Sequence, residues 1–278
     1  MTAVAGKVCA ITGAGSGIGR ALAHELGRRG ARLALCDVDE AGLQATAAAL
    51  PGEAHVQRVD VGDRDAVVAW AAAVAARFGV VHQVYNNAGI AFSRTVLESE
   101  WADWDRVLRV NLFGVIHGTK AFLPHLIASG DGHVVNVSSL NGFMAQAEAS
   151  HYCASKFAVR GFTESLRIEL LRERAPVGVT VVHPGGIRTN IAANALAGAR
   201  ALGYEITPAH EARRRVYEEK LLTMDPAEAA RTIVDGVERG RPRVLVGRDA
   251  KAVDKLVRAF PALYPRGLVA WERRVLQR

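Results

Sequence analysis

Seven short apolar, often β-branched runs, at 7–12, 32–36, 55–60, 81–86, 133–138, 178–183 and 243–246, alternate with longer Ala- and Leu-rich stretches of helical period. Strands that follow one another only after a helix-length insertion pair in parallel, so this alternation predicts a doubly wound α/β sheet covered by helices. One helix is expected over about 64–77, with Asp63 as its N-cap and Gly79 just past its end. Another is expected from near Tyr152 to about Glu173, stopped before Pro176. No internal repeat, low-complexity linker or domain break interrupts the pattern. A single domain over 1–247 is therefore expected, followed by an extension over 248–278.

The chain is 278 residues long, half of them hydrophobic, a globular composition with enough length for a substantial core. Its longest apolar run, AVVAWAAAVAA at 66–76, has eleven residues between Asp65 and Arg77. A membrane-spanning helix needs ~20. The N-terminal MTAVAGKVCAITG has no basic region followed by an apolar stretch and no cleavage site, so a cytoplasmic protein is expected. Cys9, Cys36 and Cys153 have no C-x-x-C spacing, and the nine histidines form no ligand motif. Neither a disulfide framework nor a metal site is expected.

Between the first strand and the first helix lies TGAGSGIGR, with Gly13, Gly17 and Gly19 in a G-x-x-x-G-x-G pattern. A glycine-rich turn at a helix N-terminus offers backbone N–H groups and a positive dipole end to a diphosphate. The alternative G-x-G-x-x-G spacing fails, because Ile18 stands where its third glycine belongs. The second strand ends in Asp37, 18 residues after Gly19, where a carboxylate can accept hydrogen bonds from an adenosine ribose. It would also repel a 2′-phosphate. Val38 and Asp39 follow without an offsetting cation, and Ser16 occupies the loop position where an arginine could meet that phosphate. NAD(H) is expected over NADP(H). The competing role for Asp37 is a solvated strand end or a helix cap.

Residues 150–157 read SHYCASKF, which places Tyr152 and Lys156 one turn apart on one helix face. Alone, that pair is ordinary surface. Taken with TGAGSGIG, NNAG at 86–89, RVNLFG at 109–114, VNVSS at 135–139 and HPGGIRT at 183–189, it resembles the short-chain dehydrogenase/reductase family over roughly residues 5–247. The resemblance implies a Rossmann-like sheet and NAD-dependent hydride transfer between a secondary alcohol and a ketone. It also implies a homo-oligomer, dimer or tetramer. Tyr152 matches the catalytic acid/base, Lys156 the group that lowers its pKa and holds the nicotinamide ribose, and Ser139 the serine that hydrogen-bonds the substrate oxygen. Asn111 matches the asparagine whose backbone holds a water linking the lysine to solvent. For the cofactor the resemblance implies Gly13, Ser16, Gly17, Ile18, Gly19 and Asp37, with Asp60 and Val61 near adenine. Asn87, Ala88 and Gly89 lie on the adenosine side, and Asn86 braces the sheet. Pro184, Gly185, Ile187 and Thr189 form the turn that positions the nicotinamide.

The chemistry is self-consistent. A tyrosine pKa of about 10 must fall by roughly 3 to serve near neutrality, about 4 kcal/mol. One ammonium at ~4 Å and an effective dielectric of ~20 supplies about 4 kcal/mol. A catalytically silent nucleotide-binding protein on the same fold is the alternative function, with lyase or epimerase chemistry a weaker third. A binding role needs no tuned phenol.

Substrate choice is expected in the loop 140–149 and in a lid over about 190–223. The lid's first half, NIAANALAGARALGYEI, is small and apolar and suggests an apolar small-molecule substrate. Arg213 to Arg215 could meet an acidic group, though exposed charge is the preferred reading. From Gly240 onward ten Lys or Arg stand against three acids, a surplus equal to the whole chain's +7. Val253, Leu256, Val257 and Phe260 form a helical stripe beside Lys251, Lys255 and Arg258, Pro261 and Pro265 are expected to break that helix, and Leu268, Trp271 and Val275 resume a second stripe. The preferred expectation is that these stripes pack on the chain's own domain or a neighbouring subunit. An anionic membrane surface is the alternative, and nucleic acid is not expected, since no recognition motif accompanies the charge.

Overall fold

The computed structural model describes residues 2–276, without the side chains of residues 209, 213, 275 and 276. Seven parallel strands form one sheet in the order β3-β2-β1-β4-β5-β6-β7: β1 (Val8–Thr12), β2 (Arg32–Asp37), β3 (Ala54–Arg58), β4 (Gln83–Asn86), β5 (Gly132–Val137), β6 (Val177–Pro184) and β7 (Arg243–Val246). Each expected strand is found, with ends shifted by two residues at most. The order turns back between β1 and β4, and at such a switch point the crevice beyond the strand ends is open to a ligand.

Helices α1 (Gly17–Arg28), α2 (Glu40–Ala48), α3 (Arg64–Phe78), α4 (Trp101–Leu108), α5 (Gly114–Ala128) and α6 (Ser150–Arg172) link the strands as far as β6. Then come α7 (Ile191–Ala201), α8 (Pro208–Lys220) and α9 (Pro226–Glu238), and beyond β7 stand α10 (Arg248–Ala259) and α11 (Tyr264–Leu276). The boundaries of α3 follow from local chemistry. Asp63 accepts from the N–H groups of Asp65 and Ala66, and Gly79 closes the helix at φ 75°. Among the described residues no helix is long and apolar enough to cross a membrane.

One face of the sheet packs on α1 and α9 through Leu22, Leu26, Ile233 and Val237. The other packs on α3, α5 and α6, where Trp70 and Phe122 meet edge to face at 5.0 Å. Through this second layer runs a buried polar chain. Asn86 donates to Asn136 Oδ1 (2.8 Å) and Thr119 Oγ1 (3.1 Å), and Asn136 donates to Thr163 Oγ1 (3.0 Å). It ties β4 and β5 to α5 and α6 directly below the crevice.

The tail differs from expectation in two respects. Pro265 does not break a helix; it sits in the first turn of α11, where a missing N–H costs no hydrogen bond. The apolar stripe of α10 is not its buried face: Ala250 and Asp254 are buried, Val253 and Val257 half-buried, and Leu256 and Phe260 exposed. Asp254 is drawn inward by Arg243 of β7 (2.7 Å) and sets the helix rotation. Val275 of the second stripe lies outside the described side chains.

The polar chain makes one glycine decisive. A methyl at Gly118 would run into the Asn86 carboxamide. Gly118→Ala is expected to lower unfolding free energy by about 1–3 kcal/mol, the usual cost of overpacking, measured by urea titration.

Candidate active site

The glycine loop follows β1 because its backbone can go where other residues cannot. Gly13 and Gly17 have φ of 68° and 52°, in the left-handed region. Gly19 presses against the Gly13 carbonyl, leaving no room for a side chain. The stretch Asn87 to Gly89 holds the loop from the next strand. Asn87 and Ala88 N–H groups both donate to Thr12 Oγ1 (3.0 Å), and Asn87 Nδ2 donates to the carbonyls of Thr12 (3.0 Å) and Gly13 (3.3 Å). Ser16, at the N-cap of α1, makes no capping bond through its side chain, and Ile18 packs half-buried against the core. A cleft of about 700 Å³ begins at Gly15, Ser16 and Gly17 and runs along the outer side of α1 past Arg20, His24 and Arg28 toward Arg231 of α9, apart from Ser139, Tyr152 and Lys156. A glycine turn packed too closely for side chains at Gly13 and Gly19 and leading into a helix N-terminus suits a dinucleotide's diphosphate.

At the adenosine end Asp37 is fixed by two backbone donors, Gly15 N to Oδ2 (2.8 Å) and Asp39 N to Oδ1 (3.0 Å). The sequence shows no cation beside it, but strand pairing supplies one. Arg58 stands opposite Asp37 in β3 and donates to the Val38 carbonyl (3.2 Å). Asp60 accepts from Gly62 N (2.8 Å) and Arg109 Nη1 (2.8 Å). Burial opposes ionisation there, yet Arg109 and the Gly62 N–H hold the Asp60 carboxyl below its ordinary range. Val61 is buried against Gly114.

Ser139, Tyr152 and Lys156 meet beyond the end of β5. Lys156 is buried, its Nζ donates to the Val137 carbonyl (3.0 Å), and burial pushes its pKa down to about 8. Ser138 donates to the Lys156 carbonyl (2.8 Å) and anchors α6. Burial pushes the Tyr152 phenol up to about 12, with a hydrogen bond from Ser139 pulling the other way and the nearby Tyr217 phenol adding to the rise. The Lys156 ammonium is 5.8 Å from the Tyr152 ring centre. In this geometry desolvation sets the direction of the shift, opposite to the lowering by Lys156 that the resemblance implies. Asn111 lies in a π-helical turn, Arg109–Phe113, where it accepts from Ile90 N (2.8 Å) and donates to Ile90 O (2.9 Å) and Ser155 Oγ (3.2 Å). A Cβ on Gly89 would lie 3.3 Å from Asn111 Oδ1 and 3.4 Å from Lys156 Nζ, so the glycine lets both groups approach the loop.

After β6, Pro184 leads into Gly185, Ile187 is buried in the core, and the Thr189 methyl packs against Gly17. Several residues here escape a reading of the sequence. Asp249 of α10 accepts from Gly186 N (2.6 Å) and pins the turn. His183 bonds through Nδ1 to the Ser139 carbonyl (2.7 Å), behind the hydroxyl. Gln146 in the loop after Ser139 meets Asn141 (3.0 Å) and the lid's Tyr217 (3.3 Å), and Tyr264 of α11 accepts from Ala145 N (3.2 Å). The segment after β6 is fastened by Tyr204, which donates to Asp103 (2.7 Å) and packs with Phe92, Val107 and Ala199. Of the lid arginines, Arg214 pairs with Glu218 on its own helix, Arg215 is exposed, and the side chain of Arg213 lies outside the described residues.

Comparison with known proteins bears on the family and the fold. The family model for short chain dehydrogenase matches residues 7–199. A Mycobacterium tuberculosis protein named "Putative oxidoreductase SadH" is 52% identical over 273 residues, 97% of this chain and 96% of that protein. The crystal structure of a Burkholderia phymatum short chain dehydrogenase/reductase in complex with NAD superposes with a TM-score of 0.87 at 32% identity, covering 95% of this chain and 97% of that one. Levodione reductase superposes at 0.76 and 28% identity, over 88% and 98% of the two chains.

Burial of Lys156 has a pH signature. Between about 8 and 10.5 the folded amine is neutral while the unfolded one still binds a proton, so stability rises with pH through that window. Chemical denaturation at pH 7.5 and 10 is expected to show the wild type gaining about 3 kcal/mol or somewhat less relative to Lys156→Met, which lacks the titrating amine. An unchanged difference would mean the amine is not desolvated.

Proposed function

The chain belongs to the short-chain dehydrogenase/reductase family of oxidoreductases, and from that premise we propose that it is an NAD(H)-dependent enzyme interconverting an apolar secondary alcohol and its ketone. The observation that carries this reading is the convergence of Ser139, Tyr152 and buried Lys156 at the end of β5, beside a glycine cradle one strand away. The N–H groups of the Gly13–Gly19 loop would hold the diphosphate, Asp37 the adenosine ribose, Asp60 and Val61 the adenine side, and Lys156 the nicotinamide ribose. When bound, the nicotinamide supplies the hydride acceptor or donor at the carbinol carbon.

Tyr152 and Ser139 face the substrate oxygen in this proposal. In ketone reduction the phenol, protonated at neutral pH with a pKa near 12, gives its proton to that oxygen as Ser139 donates a second hydrogen bond. In oxidation the phenol must first lose its proton, and the charge of Lys156 one turn away favours the phenolate. Asn111 shapes the turn beside Lys156, and a water on its backbone would link the amine to solvent. His183 and Asn141 keep Ser139 in place through its carbonyl and hydroxyl.

An apolar substrate is supported by the walls. Phe143 and Met144 of the loop after Ser139 are buried, and α7 is mostly half-buried small residues running into the Tyr204 cluster. Preference for NAD(H) is supported by the fixed Asp37 carboxylate and by the engagement of both nearby arginines, Arg58 by a carbonyl and Arg109 by Asp60. Self-association is supported by Phe157, Ile168 and Leu171, large apolar side chains exposed along α6.

The test is absorbance at the reduced-nicotinamide band with a panel of apolar and polar secondary alcohols. Turnover of apolar members with NAD is expected, and Tyr152→Phe should lower kcat by about 10²–10⁴-fold. Turnover confined to polar alcohols would exclude the apolar assignment. Asp37→Ala should reduce the NAD-over-NADP ratio of kcat/KM by at least about tenfold, the loss of a charge-assisted ribose contact and of a repulsion together. Light scattering should give a mass of two or four chains, and Ile168→Glu with Leu171→Glu should shift it toward one.

A further inference from the structure

The tail helices carry a surface that neither the chemistry nor the sheet uses. Leu256, Phe260, Leu263, Val269 and Trp271 are exposed by 50, 51, 57, 44 and 43%. They are grouped within 16 residues of chain that contribute no partner to the hydrophobic core clusters. Around them stand Arg248, Lys251, Lys255, Arg266, Arg273 and Arg274, all exposed and, among the described residues, without a carboxylate partner. The tail's own acids do not neutralise them. Asp249 is committed to Gly186 N, and Asp254 to Arg243 and Arg258, which leaves Glu272.

Two features decide which occupant fits. A second copy docking the same face by two-fold symmetry would bring this positive surface against itself, a like-charge contact. A nucleic acid would satisfy the cations but leave the five apolar side chains in water, with no base-reading motif to use them. An anionic bilayer matches both, because leucine, phenylalanine and tryptophan enter the interface while lysine and arginine meet phosphate headgroups. We propose that α10 and α11 form a docking surface for an anionic phospholipid membrane. Residues 260–263, with Pro261 among them, connect the two helices, and Leu256 and Phe260 at the end of the first and Val269 and Trp271 on the second are all exposed.

The tail also touches the site, through Asp249 on the turn after β6 and Tyr264 on the loop after Ser139. Deleting it would disturb catalysis whether or not it binds lipid, so point variants of the full chain are the proper test. Full-length protein is co-sedimented with vesicles of phosphatidylcholine alone or mixed with phosphatidylglycerol, at low and high salt. Binding only to the mixed vesicles, weakened by salt, is expected. Lys251→Glu with Lys255→Glu, and separately Leu256→Ser with Phe260→Ser, should each weaken partitioning by at least about tenfold while melting temperature and NAD turnover stay at wild-type values. Absence of binding to the mixed vesicles, or binding undiminished in both variants, would overturn the proposal. So would a fall in oligomer mass in Leu256→Ser with Phe260→Ser when the wild type ignores lipid, or displacement of the protein from vesicles by equimolar duplex DNA.

Discussion

The burial of Lys156 is the constraint around which the crevice is arranged. A desolvated amine loses the hydration that stabilises its charge, and its partner here is a neutral carbonyl, that of Val137. Such a group persists only where the surrounding structure holds it. Ser138 fixes its backbone, and Asn111, Gly89 and Ser155 crowd close around it. The same low-polarity surroundings push the Tyr152 phenol up, so the pair sits with both groups biased toward their neutral forms. Cofactor and substrate then arrive at a site whose electrostatics respond strongly to any added charge, because little water screens it.

That arrangement depends on the sheet in a specific way. All seven strands are parallel, so Thr12, Asp37, Asn86, Val137 and Pro184 end along one edge, and each supplies or adjoins a component of the crevice. The buried Asn86–Asn136 bond joins the two strands that support the glycine loop and the lysine. A slip in either register would separate the glycine loop from Ser139, Tyr152 and Lys156, even with every motif present in the sequence.

Much of this was legible before the structure because it is local. Strand runs, the Asp63 cap, the Gly79 terminus and the one-turn spacing of Tyr152 and Lys156 depend on residues a few positions apart. What stayed hidden involves pairing across distance. Arg58 faces Asp37 only through the β2–β3 register, His183 reaches Ser139 across 44 residues, and Asp249 reaches Gly186 across 63. The phenol's upward shift was missed for a related reason: a charge at helical spacing can be read from sequence, but the volume of water excluded around it cannot. The rotation of α10 was hidden too, because hydrophobicity alone favours burying Leu256 and Phe260, whereas one ion pair to β7 turns Asp254 inward instead.

The tail therefore has two faces with different obligations. Its inner side packs on the candidate site, since Asp249 fixes the glycine turn after β6 and Tyr264 accepts from the loop that follows Ser139. Its outer side is released from packing by the Arg243–Asp254 pair and keeps both its apolar side chains and its surplus charge available. The inner side meets the loop after Ser139 at Ala145, whose N–H donates to Tyr264. Ala145 lies one residue from Gln146, which accepts from Tyr217 of α8. Residues 145–146, 217 and 264 are thus joined by two hydrogen bonds although they lie far apart in sequence.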